Sequence, residues 1–394
     1  MKTRVAIIGA GPAGLLLSHL LEREGIESII VEAKSSDFVL GRFRAGLLEA
    51  ASVDVLDEAG LSERLHRDGL EHRGVYVQWP GEKRTVDFVG LGGRPVWVYG
   101  QTELTRDLSD ARFAAGQQMY YNVEEVALHD VETSAPYVTG VDATGRSIRI
   151  DADVIVGCDG FAGVSRGSIP ESVQRSFDRR YPHSWLGFFA EVAPSTDQII
   201  FAWHPDGFAM HTMRSATVSR FHLQVAPEDH ITNWSDERIW ETTARRLGSG
   251  ENDWTLQTGP ITEKSILPLR CRVTTPMRHA RLFLAGDAAH VVPPTGAKGL
   301  NLAIADVTLL ARALGAWKRG DESLANAYSD TALRRVWRAA YGVSLPPDSG
   351  EPVRAPAPPE TTSPARAHCH PPDHTGRARR SRTSERSGEP SRGP

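Results

Sequence analysis

The sequence predicts an α/β chain with a β-rich middle segment, and three observations carry that expectation. Residues 4–32 read as strand, glycine-rich turn, helix and second strand in close succession. Two later apolar runs, "DVIVG" and "RLFLA", each lead into a turn that joins Gly and Asp. Between those runs, short apolar stretches bounded by turn residues recur, as strands of one sheet do.

The first unit, "RVAIIGAGPAGLLLSHLLEREGIESIIVEAKS", opens with Val5 to Ile8, an apolar run of buried-strand type. Gly9, Gly11 and Gly14 follow as G-x-G-x-x-G. Their tasks differ: a tight turn, close approach of backbone to a pyrophosphate, and close packing of helix on strand. The leucine-rich helix offers unpaired N-terminal amides and a positive dipole end to phosphate. The second strand ends in Glu32, placed where a carboxylate can accept ribose hydroxyls. The adenosine half of a dinucleotide is the ligand this unit predicts.

Downstream, "RLFLAGDAAHVVPPTGAKGLNLAIADVTLLARAL" gives a strand, Gly286-Asp287, a Pro-Pro turn, a second glycine turn and a helix from near Gly299. Asp287 at a strand end can hold a ribityl hydroxyl, and turn amides with a helix N-terminus can face a flavin pyrimidine edge. The middle run "DVIVGCDGFAGVSR" ends in Asp159-Gly160. After the last glycine turn, helical spacing continues to about Arg338 and reads as ordinary core.

A chain of 394 residues has room for two or three domains. Its net charge of −4, with acids and bases interspersed over the first 340 positions, favours a small-molecule partner over nucleic acid or an anionic membrane. Cys158, Cys271 and Cys369 lie too far apart for a disulfide framework or a zinc site, so no metal is expected and a reducing compartment is. No secretory signal precedes the first motif and no run approaches the ~20 apolar residues of a span, so a cytoplasmic location is expected.

These three motifs, with "VLGRFRAGLLE", "VYGQTELTRDL", "RSATVSR", "NWSDERIW" and "EKSILPLR", resemble the class A flavin aromatic hydroxylases, nearest the branch that acts on 4-hydroxybenzoate. The likeness runs from Met1 to about Arg338. It implies a Rossmann-like FAD-binding domain interrupted by an α+β substrate domain with an antiparallel sheet. By that division residues 1–75, 98–180 and 270–340 bind FAD, while 76–97 and 181–269 hold the substrate. The implied reaction uses NADPH or NADH and O2 to hydroxylate a para-substituted benzoate, first of all 4-hydroxybenzoate to 3,4-dihydroxybenzoate. Alternatives are a 4-aminobenzoate-type hydroxylase and an FAD-binding protein with uncoupled hydroxylation. A flavin halogenase lacks support, because its tryptophan motif and lysine are not found in matching context.

Carried over by resemblance, Arg214 binds the substrate carboxylate beside Thr212 and His222, and the Pro294 carbonyl accepts from the para group. Arg220 lies near the flavin. Arg42, Arg44, Gln101, Asp159, Asp287, Gly296, Leu300 and Asn301 join Glu32 on the FAD side. Lys34, Arg44 and Arg166 remain for the nicotinamide dinucleotide.

Phe201 stands where the family has a tyrosine that starts a proton relay towards His72. Phenylalanine cannot donate or accept that hydrogen bond, which is what favours an amino-substituted substrate or uncoupled turnover. Ala33, Phe38 and Ala162 replace arginine, tyrosine and histidine of NADPH-preferring members, so NADH is expected to serve at least as well.

From Tyr341 onward there are eleven Pro and eight Arg and no Lys, Phe, Ile, Met or Trp. Such a segment cannot offset its ordering entropy by burial, so 341–394 is expected to be disordered. The family continues there with an aromatic-rich helical region, and this composition matches an out-of-frame reading of a GC-rich gene. The homodimer the family implies is in doubt for the same reason.

Overall fold

The computed structural model describes residues 1–41, 46–248 and 254–342. Arg42, Arg44 and the tail from 343 onward, each the subject of an expectation above, lie outside the described residues. The principal elements in chain order begin with β1 (Val5–Ile8), α1 (Pro12–Arg23), β2 (Ser28–Val31), α2 (Gln101–Ala114) and β3 (Val154–Gly157). They continue with β4 (Arg175–Ala190), β5 (Ile199–Ala202), β6 (Ala209–Met213), β7 (Ser219–Val225) and α3 (Asp236–Leu247). Last come β8 (Ile261–Thr275), β9 (Leu282–Leu284), α4 (Lys298–Lys318) and α5 (Ser323–Gly342).

One sheet has six strands in the order Arg278–His279, β9, β3, β1, β2, Met119–Tyr120, all parallel except the Arg278–His279 edge. Every residue of β1, β2, β3 and β9 is buried, which is why these strands read as continuous apolar runs without alternation. Helix α4 packs on α1 and α5 through an apolar face that includes Leu302, Val307, Leu310 and Leu314. Among the described residues it is the one helix long and apolar enough to cross a membrane, and 67% of its most apolar stretch is buried inside the protein.

A second sheet has eight strands in the order His290–Val291, β8, β4, β7, β6, β5, Gly74–Trp79, Glu82–Asp87. It contains the short apolar stretches expected between the two turns that join Gly and Asp, with β4 beginning earlier than its apolar part, at Arg175. The pairing is antiparallel except between β5 and Gly74–Trp79. Because residues directly opposite share a face, register sorts the side chains. Leu186, Phe188, Ile200, Ala202, Ala209, Phe221 and Leu223 form a core with Ile239 and Leu247 of α3, and the Phe188 and Phe221 rings stack at 4.9 Å. The other face carries two rows: Phe201, Met210, His222 and Gly187, then Thr212, Arg220, Phe189 and Glu263.

Candidate active site

The turn after β1 is built from backbone. Gly9 has φ +105°, and a Cβ there would stand 2.5 Å from the Cys158 carbonyl oxygen of the neighbouring strand end. A Cβ on Gly14 would stand 2.0 Å from the Gly9 carbonyl oxygen, so α1 can approach β1 only as glycine. Gly11 differs: it precedes α1, and a Cβ on it would meet nothing within 4 Å. Open space at the N-terminus of a helix with no side-chain cap is where a pyrophosphate fits. Beside it, the Glu32 carboxylate accepts from the amides of Ala10 and Lys34, both at 2.8 Å, which fixes it at the end of β2.

Asp159 adds a second polar group at the end of β3. Its Oδ2 accepts from the Ser165 amide at 2.8 Å, whereas its Oδ1 is buried with no protein partner. Burial pushes the carboxyl up, against hydrogen bonds that include that amide. A buried acceptor of this kind suits a hydroxyl-bearing ligand. A flavin dinucleotide therefore fits the donors and acceptors present here.

At the Gly286-Asp287 turn, Gly286 has φ +61° and its amide donates to Asp306 Oδ2 at 3.0 Å. The same oxygen lies 2.6 Å from His290 Nε2, and both side chains are fully buried. Burial alone would lower the His290 imidazole, yet Asp306 carries it above its ordinary value. Neither residue was picked out from the sequence. The available signal was an acid, Asp306, on the apolar face of a predicted helix.

Pro294 and Gly296 form the turn before α4, where the Pro294 carbonyl accepts from the Ala297 amide at 2.9 Å and Ala297 is left-handed at φ +50°. Asn301 is more committed. Its Oδ1 accepts from the Glu49 amide and the Ser52 hydroxyl, and its Nδ2 donates to the Leu47 and Ala297 carbonyls. It ties the start of α4 to residues 47–52, with Leu300 half-buried beside it. Glu49 also pairs with Lys298 in the first turn of α4.

Register brings Phe201, Thr212, Arg220 and His222 to one sheet face. Thr212 donates to the Arg220 carbonyl at 3.3 Å. Burial, then Arg214, pushes the Arg220 guanidinium down to about 10, and its cationic carbon lies 5.1 Å from the centre of the Phe189 ring. His222 is held well below its ordinary value by burial and then by Arg220, so it is neutral at pH 7. Its ring lies 4.9 Å from Trp185. Arg214 follows β6; Nη2 donates to Glu103 Oε2 at 2.5 Å, and Nε is buried without a partner. Glu103 stands in the first turn of α2, after Gln101.

His72 is buried, and burial lowers its imidazole against contacts from Gln198 and Asp197. Its charge influence falls on His211, whose side chain belongs to the opposite sheet face from Phe201. Arg166 donates to the Phe161 and Ala288 carbonyls at 2.6 and 3.2 Å. Arg166, Arg270 and Arg272 lie 5.0, 4.6 and 5.7 Å from the Phe161 ring centre. Arg270 and Arg272, over a hundred residues from Arg166, gave no sequence signal of this cluster. Lys34 is exposed next to Glu32.

A family profile described as an FAD binding domain matches residues 2–342. The chain is 49% identical over 341 residues to the p-hydroxybenzoate hydroxylase of Acinetobacter baylyi, covering 86% of this chain and 84% of that one. It is 24% identical to a probable NADH-specific resorcinol 4-hydroxylase of Rhodococcus jostii, over 78% of this chain and 58% of the relative. The crystal structure of p-nitrophenol 4-monooxygenase from Pseudomonas putida superposes with a TM-score of 0.74 at 20% identity, over 87% of this chain and 88% of that one, a likeness of fold.

Proposed function

Since this chain belongs to the FAD-binding family of flavin-dependent aromatic monooxygenases, we propose that it hydroxylates a para-substituted benzoate, first of all 4-hydroxybenzoate, with NAD(P)H and O2. The observation that carries this reading is Arg214, a mostly buried guanidinium with an unpaired Nε, next to the face of Phe201, Thr212, Arg220 and His222. A planar fork of donors binds a carboxylate in two bonds and fixes the ring plane.

Bound FAD supplies the redox chemistry, taking reducing equivalents from the nicotinamide and activating O2. The protein's part is to bind, orient and exclude water. Gly9, Gly11, Gly14 and Glu32 take the adenosine and pyrophosphate end, with Asp159, Asp287, Gln101, Gly296 and Leu300 along the rest. Asn301 acts by positioning the α4 N-terminus, because its amide is already fully engaged. The Pro294 carbonyl keeps one lone pair for the para substituent. Arg166 serves the nicotinamide dinucleotide with Lys34, and Ala33, Phe38 and Ala162 favour NADH at least equally. On this reading residues 1–75, 98–180 and 270–340 form the cofactor domain, and 76–97 with 181–269 the substrate domain.

A second reading is favoured by Phe201: no hydroxyl stands at that position to draw a phenolic proton, which suits a 4-aminobenzoate. Oxygen and NAD(P)H consumption with each substrate, alongside product quantification, decides between them. Faster coupled turnover of 4-hydroxybenzoate removes the amino-substrate reading.

A further inference from the structure

We propose that Glu103 is a positioning residue for substrate: it holds the Arg214 guanidinium in one orientation and competes with the incoming carboxylate for it. The inference rests on the reading of Arg214 as the carboxylate anchor.

Glu103 precedes Arg214 by 111 residues, yet its Oε2 takes the Arg214 Nη2 proton at 2.5 Å. The Arg214 side chain is 15% exposed and that of Glu103 33%. Both lean on Gly100, where a Cβ would stand 1.9 Å from Arg214 Nη2 and 1.9 Å from Glu103 Oε2. In this geometry the pair occupies the space that a Cβ on residue 100 would take.

Each partner is also anchored from behind. Arg64 Nη2 donates to the Glu103 carbonyl at 2.7 Å, and Arg64 pairs with Asp107 at 2.8 Å. On the other side, the Arg214 amide donates to the Val218 carbonyl at 2.9 Å and closes the turn after β6. These bonds fix the two backbone positions from which the side chains meet, and the ion pair itself sets the orientation of the guanidinium.

A guanidinium has five N–H donors, and the only side-chain acceptor bonded to Arg214 among the described residues is Glu103. Arg214 Nε is buried without a partner, so a donor is left for a second carboxylate. Arg220 stands near enough for Arg214 to depress it. Without Glu103 the site would hold two neighbouring buried cations, a costly arrangement. With it, an arriving carboxylate finds a guanidinium already oriented and a like charge beside it. Orientation is gained at the expense of affinity.

The test is equilibrium dialysis of benzoate and of neutral benzamide against the FAD-loaded protein and its variants. Glu103→Gln removes the like charge and is expected to tighten benzoate about tenfold while leaving benzamide unchanged. A purely structural role predicts no such split between anion and amide. Unchanged or weaker benzoate binding overturns the inference. If Glu103→Gln fails to retain FAD, Glu103→Asp withdraws the carboxylate by one methylene and should tighten benzoate by a smaller factor; no tightening overturns it equally. Arg214→Lys separates the two levels. Loss of benzoate binding in Arg214→Lys without a gain in Glu103→Gln sinks this inference alone, whereas full benzoate affinity in Arg214→Lys sinks the anchor reading and the inference together.

Discussion

On the proposed reading, the turn after β1 and the Phe201 face of the eight-stranded sheet both hold ligand, by opposite means. At the turn, the groups that matter are backbone: Gly9 and Gly14 have no room for a Cβ, and Gly11 faces open space. On the sheet face they are side chains, Thr212, Arg220 and His222, brought together by register with Arg214 at the strand end. A backbone site cannot change without breaking the packing of α1 on β1. A side-chain face can change one residue at a time, which is how Phe201 and His222 can alter substrate chemistry on an unaltered sheet.

The largest effect should separate the glycines themselves. Gly14→Ala places a Cβ against a backbone oxygen and is expected to cost about 3 kcal/mol or more, with loss of bound flavin. Gly11→Ala should leave the thermal midpoint of the FAD-free protein unchanged and weaken FAD binding only. Equal destabilisation by both, measured by thermal unfolding without FAD, would erase the distinction drawn between them.

On the side-chain face, Arg214→Gln should raise KM for the benzoate by roughly 100-fold, the worth of a charge-assisted bidentate pair, while flavin content stays normal. Steady-state kinetics beside the visible flavin spectrum checks both halves. A loss of flavin instead would place Arg214 with the backbone-like scaffold.

Titration separates His211 and His222, on β6 and β7, from His290 beside the Gly286 turn by opposite signs. Burial pushes His211 down to about 4 and His222 well below its ordinary value. The unfolded chain therefore binds protons that the folded one refuses, and stability falls as pH drops below about 6.5, by roughly 2 kcal/mol for His211 at pH 5. His290 is raised, so its contribution is complete below its unfolded value and is lost as pH rises through its folded value. Urea midpoints across this range should show an acid decline that His211→Phe flattens and an alkaline decline that Asp306→Asn removes.

The smallest effect is the most diagnostic of substrate. Phe201→Tyr should raise coupled hydroxylation of 4-hydroxybenzoate about tenfold, roughly 1.4 kcal/mol, and leave 4-aminobenzoate unchanged. Product quantified per NAD(P)H oxidised reads it directly.

The same contrast explains what could be read in advance. Strand β1, its three glycines, α1 and Glu32 are contiguous, and each residue type is dictated by a local constraint, so the unit was legible letter by letter. The strands of the second sheet were legible as elements, and the residues on their ligand face came from resemblance. Glu103 with Arg214, His290 with Asp306, and Arg270 and Arg272 around Phe161 were not legible. Each joins charges from different elements through tertiary packing, and no periodicity records such a meeting. His72 was singled out with Phe201 by resemblance; in the structure it is buried, with Gln198 and Asp197 acting on its imidazole, and it in turn lowers His211 on the other sheet face.

The most direct measurement is made on purified, flavin-loaded protein supplied with NADH or NADPH, O2 and 4-hydroxybenzoate or 4-aminobenzoate in turn, with the aromatic product quantified. Ring hydroxylation of at least one, lost in Arg214→Gln while flavin is retained, is the predicted result. Nicotinamide oxidation that yields peroxide and no hydroxylated product with either benzoate would contradict it.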